Sequence, residues 1–489
     1  MKRDYAEYQA AYKLDSGLFT AERRLVLRER ELDTARIGDY SAFRRAVLSD
    51  LVQHVSMESS VAGNPTPPPN LKADELNESG FSALQNGNYP LAVSLLKRAV
   101  EADPKHKSAW NNLGNAYLAQ RQTTEAIAAF QKQSEVNPYD EFAYNNMGRA
   151  YWLDRNYEQA TKAFRKQIEV NPLDHFAHSN LGTMYGEWHK YDEAIPELEK
   201  AVSLNSDDPI LQVNLGDAYL NLGQDDKALA AFDKAIEMSA TPVVWNNIAY
   251  QLSLKKAHLD KAQQYAESAV AATTAGLRNV TLEQLSVRDL GLVPSLVAYW
   301  DTLGWVYFAK GDLRNAEKYV SAAWLIGEHG EVGDHLGQIY EKRGEKDKAI
   351  QAYALALQAV RPAPETRSRL AALVGGDSRI SATTAKYKDQ LEALRSVDLG
   401  KLSNEDGTAE FFVLFSASAS RATVESVKFI SGDEKLKKMA DALRGMNYNV
   451  SLPDDTQAKI LRRGVLSCKA ETGGCKFVMF LTDDVRSVD

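Results

Sequence analysis

Small, apolar and aromatic residues recur about every thirty-four positions through the middle of the chain. A unit of this length cannot bury its apolar face alone, so successive copies must stack against each other. The pattern therefore predicts a stacked-repeat protein. Two adjacent copies read Trp110, Leu113, Gly114, Tyr117, Ala126, Phe130 and Pro138, then Tyr144, Met147, Gly148, Tyr151, Ala160, Phe164 and Pro172.

These seven positions resemble the tetratricopeptide repeat, a helix–turn–helix unit in which small residues let two helices approach and larger residues fill the space between units. The resemblance implies a mainly α fold, a right-handed α-solenoid whose first helices line a concave groove, and a protein that binds other proteins rather than catalysing a reaction. About eight copies can be placed between residues 73 and 360. The period breaks at about residues 273–296, where we expect an insertion with one short extra helix.

Several side chains on the predicted first helices are left free by the repeat pattern and are candidates for binding a peptide in the groove. Asparagine amides offer both donor and acceptor to an extended backbone, aromatic residues offer apolar pockets, and arginine pairs with carboxylates. The candidates are Asn111, Asn115, Phe142, Asn145, Arg149, Trp152 and Phe176.

A structural role is the alternative for each candidate. Trp152 can pack against the next unit, and the repeat often carries asparagine for structural reasons at one position of its first helix. That position is occupied by Asn112, Asn146, Asn180, Asn214 and Asn247.

The first sixty residues contain a predicted β-hairpin and helix. Strand-like runs at Tyr8 to Leu14 and Phe19 to Leu27 flank a turn signal, and residues 39–57 read as an amphipathic helix. The runs Ala10–Leu14, Arg23–Leu25, Glu29–Leu32 and Asp39–Arg44 resemble the tail of the transglutaminase-like region of bacterial envelope proteins. Such enzymes use a Cys nucleophile with His and Asp, but no Cys lies within the first 467 residues, so no catalytic residue is carried over.

The end of the chain predicts a small α+β module at residues 406–489. Two strand-like runs, a helix from Asp433 to Met446 and two more strands give the order β-β-α-β-β. The run Val424–Gly432 with the following helix resembles the C-terminal domain of TonB-type energy transducers. A module of this shape offers edge strands to a partner.

Cys468 and Cys475 are the only cysteines. They flank a predicted hairpin that would bring their Cα atoms to disulfide distance, and such a pair suggests an oxidising compartment. Two reduced thiols are the alternative. A zinc site is disfavoured, because the spacing is not that of a metal knuckle and no His lies nearby.

Length and charge exclude several classes of function. A chain of 489 residues must contain several modules, its net charge of −8 gives no electrostatic case for nucleic acid, and no apolar run approaches the roughly 20 residues that span a bilayer. The modules are residues 1–60 (hairpin and helix), 61–72 (Pro-rich linker), 73–360 (repeat array), 361–405 (helical linker) and 406–489 (α+β module). We expect residues 1–60 to be the remnant of a larger domain, because a lone hairpin and helix cannot bury enough apolar surface, and a small cap on the repeat array is the alternative.

Signals for chemistry are weak, and we predict no cofactor and no metal. No phosphate-binding glycine loop, zinc-protease helix or serine elbow is present. The stretch Glu328–Glu331 with Asp334 and His335 looks catalytic but coincides with the start of the last repeat. His175 and His178 share one helix turn, but His178 occupies a core position of its unit.

The sequence therefore predicts a noncatalytic scaffold that binds a protein or peptide. The alternative function is the regulatory, substrate-presenting half of a transglutaminase-like envelope enzyme whose catalytic region lies upstream. We expect a periplasmic location if the native chain extends upstream with a signal peptide, and a cytoplasmic one if Met1 is the true start.

Overall fold

The computed structural model describes residues 6–15, 18–27, 71–140, 142–401, 406–418, 421–444, 446–448, 452–453, 458–471 and 474–482. Contacts divide the chain into two units, Met1–Leu71 and Lys72–Asp489, and each is described by itself.

The first unit contains a β-hairpin. Strands β1 (Ala6–Asp15) and β2 (Leu18–Leu27) pair antiparallel, with Ala6 opposite Leu27 and Asp15 opposite Leu18. This confirms the two predicted strands. The predicted helix at residues 39–57 and most of the Pro-rich linker lie outside the described residues.

The second unit begins with eight helix hairpins, which confirms the predicted number of repeats. Within a repeat, the first helix is followed after a short turn by the second helix. The pairs are α1 (Ala73–Gln85) with α2 (Tyr89–Ala102), α3 (Ala109–Ala119) with α4 (Thr123–Val136), α5 (Ala143–Leu153) with α6 (Tyr157–Val170), α7 (His175–Glu187) with α8 (Tyr191–Leu204), α9 (Pro209–Asn221) with α10 (Asp225–Met238), α11 (Pro242–Lys255) with α12 (Leu259–Arg278), α13 (Val287–Lys310) with α14 (Leu313–Gly327), and α15 (Gly330–Lys342) with α16 (Lys346–Ala356).

A glycine on the first helix of most repeats lets the second helix approach closely. In repeat three, an ideal Cβ on Gly148 would lie 2.6 Å from Cε1 of Phe164, whose side chain is fully buried. A Cβ added to Gly114 would likewise overlap the ring of Phe130, and one added to Gly216 would overlap the ring of Phe232. The recurring glycine and aromatic residue therefore act as the repeat pattern predicts.

A buried glutamine fixes each of two first helices to the repeat before it. Asp140 accepts hydrogen bonds from the backbone N–H groups of Phe142 and Ala143 at the start of α5, and its other oxygen accepts from Nε2 of Gln133 on α4, at 2.7 Å. Gln167 and Asp174 repeat this arrangement between α6 and α7, at 2.9 Å. The helix cap and the inter-repeat contact are thus made by one carboxylate.

The insertion at residues 273–296 mainly lengthens two helices. Its start extends α12 to Arg278, and its end is the first part of α13, which begins at Val287. Between them the predicted extra helix is a single 3-10 turn, Leu282–Gln284.

Three short helices follow the array: α17 (Thr366–Val374), α18 (Ile380–Lys386) and α19 (Gln390–Ala393). They lie in the range predicted as a helical linker, but that range ends in a strand, which corrects the prediction. The strand is β3 (Ser396–Lys401), and it joins the C-terminal sheet.

The C-terminal module is a six-stranded antiparallel sheet in the order β3-β8-β7-β4-β5-β6. It contains the four predicted strands and adds β3 and β6 at its edges. The predicted helix is shorter than expected and mostly a 3-10 helix, Glu434–Met439, continued by α20 (Ala440–Leu443). The remaining strands are β4 (Gly407–Ser418), β5 (Arg421–Gly432), β6 (Asn447–Tyr448), β7 (Lys459–Cys468) and β8 (Gly474–Met479).

This sheet packs against the insertion. Strands β4 and β5 contact the 3-10 turn, and β7 contacts α12 and α13. At the same junction Arg462 is almost fully buried and donates to the backbone oxygens of Ile326 and Phe480. Glu328 is 2% exposed, and its burial raises the pKa of its carboxyl to about 7. The positive charges of Arg395 and Arg462 favour the ionised carboxylate and only partly offset this effect. The insertion therefore supplies the surface on which the sheet rests.

Cys468 and Cys475 lie opposite each other where β7 and β8 pair, with Cα atoms 4.1 Å apart, and a disulfide joins them. Both side chains are buried. In the described part of the chain, no helix is both long and apolar enough to cross a membrane.

Replacing Gly148 with alanine tests the close approach of paired helices. The added methyl group would overlap the buried Phe164 ring, so Gly148→Ala should lower the free energy of unfolding by about 1–3 kcal/mol. Urea unfolding followed by circular dichroism measures this change. Gly291→Ala is the control, because Gly291 lies in α13 with no heavy atom within 4 Å of an added Cβ, and it should be neutral or stabilising by up to about 1 kcal/mol. Equal losses in both variants would contradict the packing argument.

A thiol titration tests the disulfide. Protein purified without reductant and unfolded in denaturant should show no free thiol, and it should show two after reduction, because Cys468 and Cys475 are the only cysteines. The Cys468→Ser/Cys475→Ser variant should show none in either state. Two thiols before reduction would mean that the hairpin is held by strand pairing alone.

Candidate functional site

Hydrogen bonds between asparagines join successive first helices of the array, and we call this set the asparagine ladder. In each bond, the asparagine at the recurring position donates from its Nδ2 to a side-chain oxygen on the preceding first helix. The pairs are Asn112 to Asn77 (2.9 Å), Asn146 to Asn111 (3.0 Å), Asn180 to Asn145 (2.9 Å) and Asn214 to Thr183 Oγ1 (3.1 Å). Four of the five recurring asparagines, Asn112, Asn146, Asn180 and Asn214, therefore have the structural role that was the alternative for them.

Two predicted groove residues, Asn111 and Asn145, are acceptors in this ladder. Asn145 is only 6% exposed, which leaves little of its amide for a ligand. Asn111 and Asn115 are partly buried. The ladder thus uses two of the three candidate asparagines to join neighbouring repeats.

Trp152 also contacts the next repeat. Its indole Nε1 donates to Oε2 of Glu187 at 2.7 Å, and its ring meets the Phe164 ring edge to face, with centroids 6.5 Å apart. Arg149, one turn earlier on α5, is exposed. Of these two candidates, Arg149 has the side chain more available to a ligand.

Large apolar side chains are exposed near the starts of successive first helices. Phe142 and Phe176 are 52% and 56% exposed, Val243 is 49% exposed, and Ile210 between them is partly buried. We call Phe142, Phe176, Ile210 and Val243 the apolar stripe. Repeats three to six each contribute one residue to it.

The first helices of repeats four, five and six together line a pocket of about 450 Å³, which we call the repeat 4–6 pocket. It was not predicted from the sequence. Its lining residues are Gly182, Thr183, Gly186, Glu187, His189, Tyr191, Leu198, Asn214, Asp217, Ala218, Asn221, Gln251, Leu254 and Lys255.

Asp217 is the most perturbed group of this pocket. Burial raises the pKa of its carboxyl from 3.8 to about 6, although Lys255 and a hydrogen bond from Asn221 favour the charged form. That bond joins Asn221 Nδ2 to Asp217 Oδ1 at 2.9 Å. Burial and the Asp217 charge also raise the pKa of the Tyr191 hydroxyl, which lies 2.9 Å from Nδ1 of His189.

One sequence signal does lead to Asp217. Asn115, Arg149, Thr183 and Asp217 follow each other at the repeat period on successive first helices. Two of them, Asn115 and Arg149, were among the predicted groove residues. Extending that register by two more repeats places a carboxylate in the same line.

The polar cluster at the start of the last repeat is used in packing. His335 Nδ1 lies 2.9 Å from Oδ1 of Asp301 on α13, and the Trp305 ring stacks on the imidazole with centroids 4.1 Å apart. Burial alone would lower the pKa of His335. The negative charge of Asp301 and its hydrogen bond to the imidazole have the larger combined effect, so the pKa of His335 is raised. Asp334 is held by Arg369 of α17. These residues join repeats seven and eight to each other and to α17.

His175 and His178, the other pair of histidines considered from the sequence, also contact side chains within the repeat array. His178 Nδ1 lies 2.6 Å from Oε2 of Glu197 on α8, and the His175 ring packs on Phe176. Among the described residues, no group of three or more His, Cys, Asp or Glu side chains is placed to hold a metal ion.

Substituting Asp217 tests the cost of its burial. Because the folded-state pKa of its carboxyl is raised, ionisation above about pH 6 opposes folding, and this cost vanishes as pH falls below about 4. Asp217→Asn should therefore be more stable than the native chain by about 1–3 kcal/mol at neutral pH and equally stable in acid. Urea unfolding at several pH values measures the difference. Asp226→Asn, at an exposed acid of α10, should show no such gain, and a pH-independent gain for Asp217→Asn would contradict the assignment.

Known protein families match the chain within the array. Models described as tetratricopeptide repeat match residues 80–134, 143–172, 189–246 and 334–368. The resemblances of the N-terminal stretch and of the C-terminal module stay predictions. No curated protein matches the chain.

Several solved structures are similar to part of the chain. The crystal structure of MamA is 25% identical and covers 33% of this chain and 94% of its own, with a TM-score of 0.31. PilF of Pseudomonas aeruginosa is 20% identical, covers 40% and 89%, and has a TM-score of 0.35. YrrB, described as a TPR protein with an unusual peptide-binding site, is 23% identical, covers 36% and 90%, and has a TM-score of 0.30. The family matches and the helix pairing together show an α-solenoid of tetratricopeptide repeats.

Proposed function

We propose that this chain is a noncatalytic scaffold that binds an extended segment of a partner protein along the first helices of its repeats. The apolar stripe is the observation that carries this proposal. Phe142, which directly precedes α5, and Phe176, which lies on α7, keep more than half of their surface in solvent although both helices are well packed. Exposed apolar side chains aligned in this way mark interaction sites, because their burial by a partner is favourable.

The ladder supports the same proposal. It joins the first helices of repeats one to five through hydrogen bonds of 2.9–3.1 Å, and three of these helices carry or directly follow Phe142, Phe176 and Ile210. These apolar side chains therefore recur once per repeat on helices that are tied together. Such a row suits a peptide whose own side chains repeat at regular intervals, as in an extended or polyproline II chain.

Polar groups beside the stripe suit a peptide backbone. Asn115 offers an amide donor and acceptor, and the exposed Arg149 offers a guanidinium to a carboxylate. The net charge of −8 supports a protein or peptide partner over nucleic acid. The transglutaminase-linked alternative rests on the N-terminal resemblance, where the structure describes only the hairpin.

Peptide selection tests the proposal. A random-peptide phage library is selected on the immobilised full chain, and the affinities of synthetic versions of the enriched peptides are measured by fluorescence anisotropy. Phe142→Ala/Phe176→Ala should weaken binding by about tenfold or more, because it removes two apolar anchors.

Two controls separate the stripe from general surface effects. Val287→Ala truncates an apolar residue that is 66% exposed outside the stripe, and Lys166→Glu reverses an exposed charge on the second helix of repeat three. Both should bind within about twofold of the native chain. Equal binding by all variants would place recognition elsewhere, and a library that yields no binder would count against a peptide scaffold.

A further inference from the structure

The repeat 4–6 pocket presents mainly hydrogen-bond acceptors. Asn221 uses its Nδ2 to donate to both the side chain and the backbone carbonyl of Asp217, each at 2.9 Å. Asn214 uses its Nδ2 to donate to Thr183. In both amides the oxygen, which can only accept, is the atom not engaged in these bonds.

Two carboxylates add further hydrogen-bond acceptors to the repeat 4–6 pocket. Asp217 lies in the middle helix of the three that line the pocket, and Glu187 lies on α7 with one oxygen accepting from Trp152. Lys255 is exposed at the pocket and acts on Asp217 at a distance, without offsetting the burial of its carboxylate. Asp217 is thus a partly desolvated anion with incomplete charge compensation, which favours a cationic ligand.

We infer that the repeat 4–6 pocket binds an arginine side chain of the partner peptide, with Asp217 as its counter-ion; the inference rests on the function proposed above. A guanidinium has five N–H donors and no acceptor, so it complements a set made of two carboxylates and two amide oxygens. A lysine ammonium would satisfy fewer of these acceptors, because it has three donors around one point charge.

Other residues that line the pocket also suit an arginine side chain. The Tyr191 ring is partly buried, and the Lys255 Nζ lies over it, 6.0 Å from the ring centroid. This ring therefore already faces a cation, and a planar guanidinium would compete with Lys255 for the same place. Leu254, 48% exposed, offers apolar surface to the methylene stem of an arginine. A volume of about 450 Å³ holds a guanidinium with room for bridging water. An anionic side chain would meet two carboxylates instead.

Parallel peptide selections test this inference. The same phage library is selected on the native full chain, on Asp217→Asn, and on Asp226→Asn as the matched control at an exposed acid of the same repeat. The native and control selections should enrich arginine at one fixed position, and the Asp217→Asn selection should not.

A synthetic peptide then measures the contact directly. Replacing its arginine with citrulline, which keeps the shape but removes the charge, should weaken binding to the native chain by about tenfold or more. The same replacement should change binding to Asp217→Asn by no more than about twofold. Lys255→Met should strengthen binding of the arginine peptide, because it removes a competing cation.

A second variant covers the case in which Asp217→Asn alters the fold, which circular dichroism would reveal. Gly186→Leu fills the pocket from α7, where an added Cβ has no heavy atom within 4 Å, and it should abolish the arginine preference. Enriched peptides without arginine, or an equal citrulline effect in Asp217→Asn, would overturn the inference and leave the scaffold function standing. No enrichment on the native chain would overturn both.

Discussion

The fixed separation of successive first helices is the constraint on which the rest of this structure depends. Two kinds of contact set it. In most repeats a glycine equivalent to Gly148 brings the first helix against its own second helix, and in repeats one to five the asparagine ladder ties neighbouring first helices together. A repeat that lost either contact would move its first helix relative to its neighbours, so the proposed binding face depends on these packing residues.

The repeat fold was predictable from the sequence because each repeat residue has a local steric reason. Gly148 and Phe164 can be read as a packing pair from spacing alone, and the structure confirms that pair. The tether between Gln133 and Asp140 could not be read in this way. It joins two polar residues that a single sequence presents as ordinary surface groups, and only their burial shows what they do.

The candidate site was less predictable for a related reason. An asparagine on a first helix has the same appearance in the sequence whether it binds a peptide or spaces two repeats, and the ladder uses Asn111 and Asn145 for spacing. Asp217 was missed because a carboxylate in a helix is usually solvated. Its environment comes from Asn221 on the same helix and from Tyr191 and Gly186, which neighbouring helices bring to the same pocket. Likewise, the sequence near residue 280 indicated an insertion only through the interruption of the repeat period. The structure shows that the C-terminal sheet packs against this insertion.

The line from Asn115 through Arg149 and Thr183 to Asp217 connects the proposed scaffold function to the proposed arginine site. One position of the repeat carries an amide, a cation, a hydroxyl and an anion in four successive units. Of these four residues, only Thr183 takes part in the ladder, where its Oγ1 accepts from Asn214. The partly buried Asp217 carboxylate also opposes folding at neutral pH, and proteins commonly accept such a cost at a site that binds a charged ligand. The array therefore combines a uniform backbone spacing with a non-uniform row of side chains. Such a row favours one direction and one register of a bound peptide over all others.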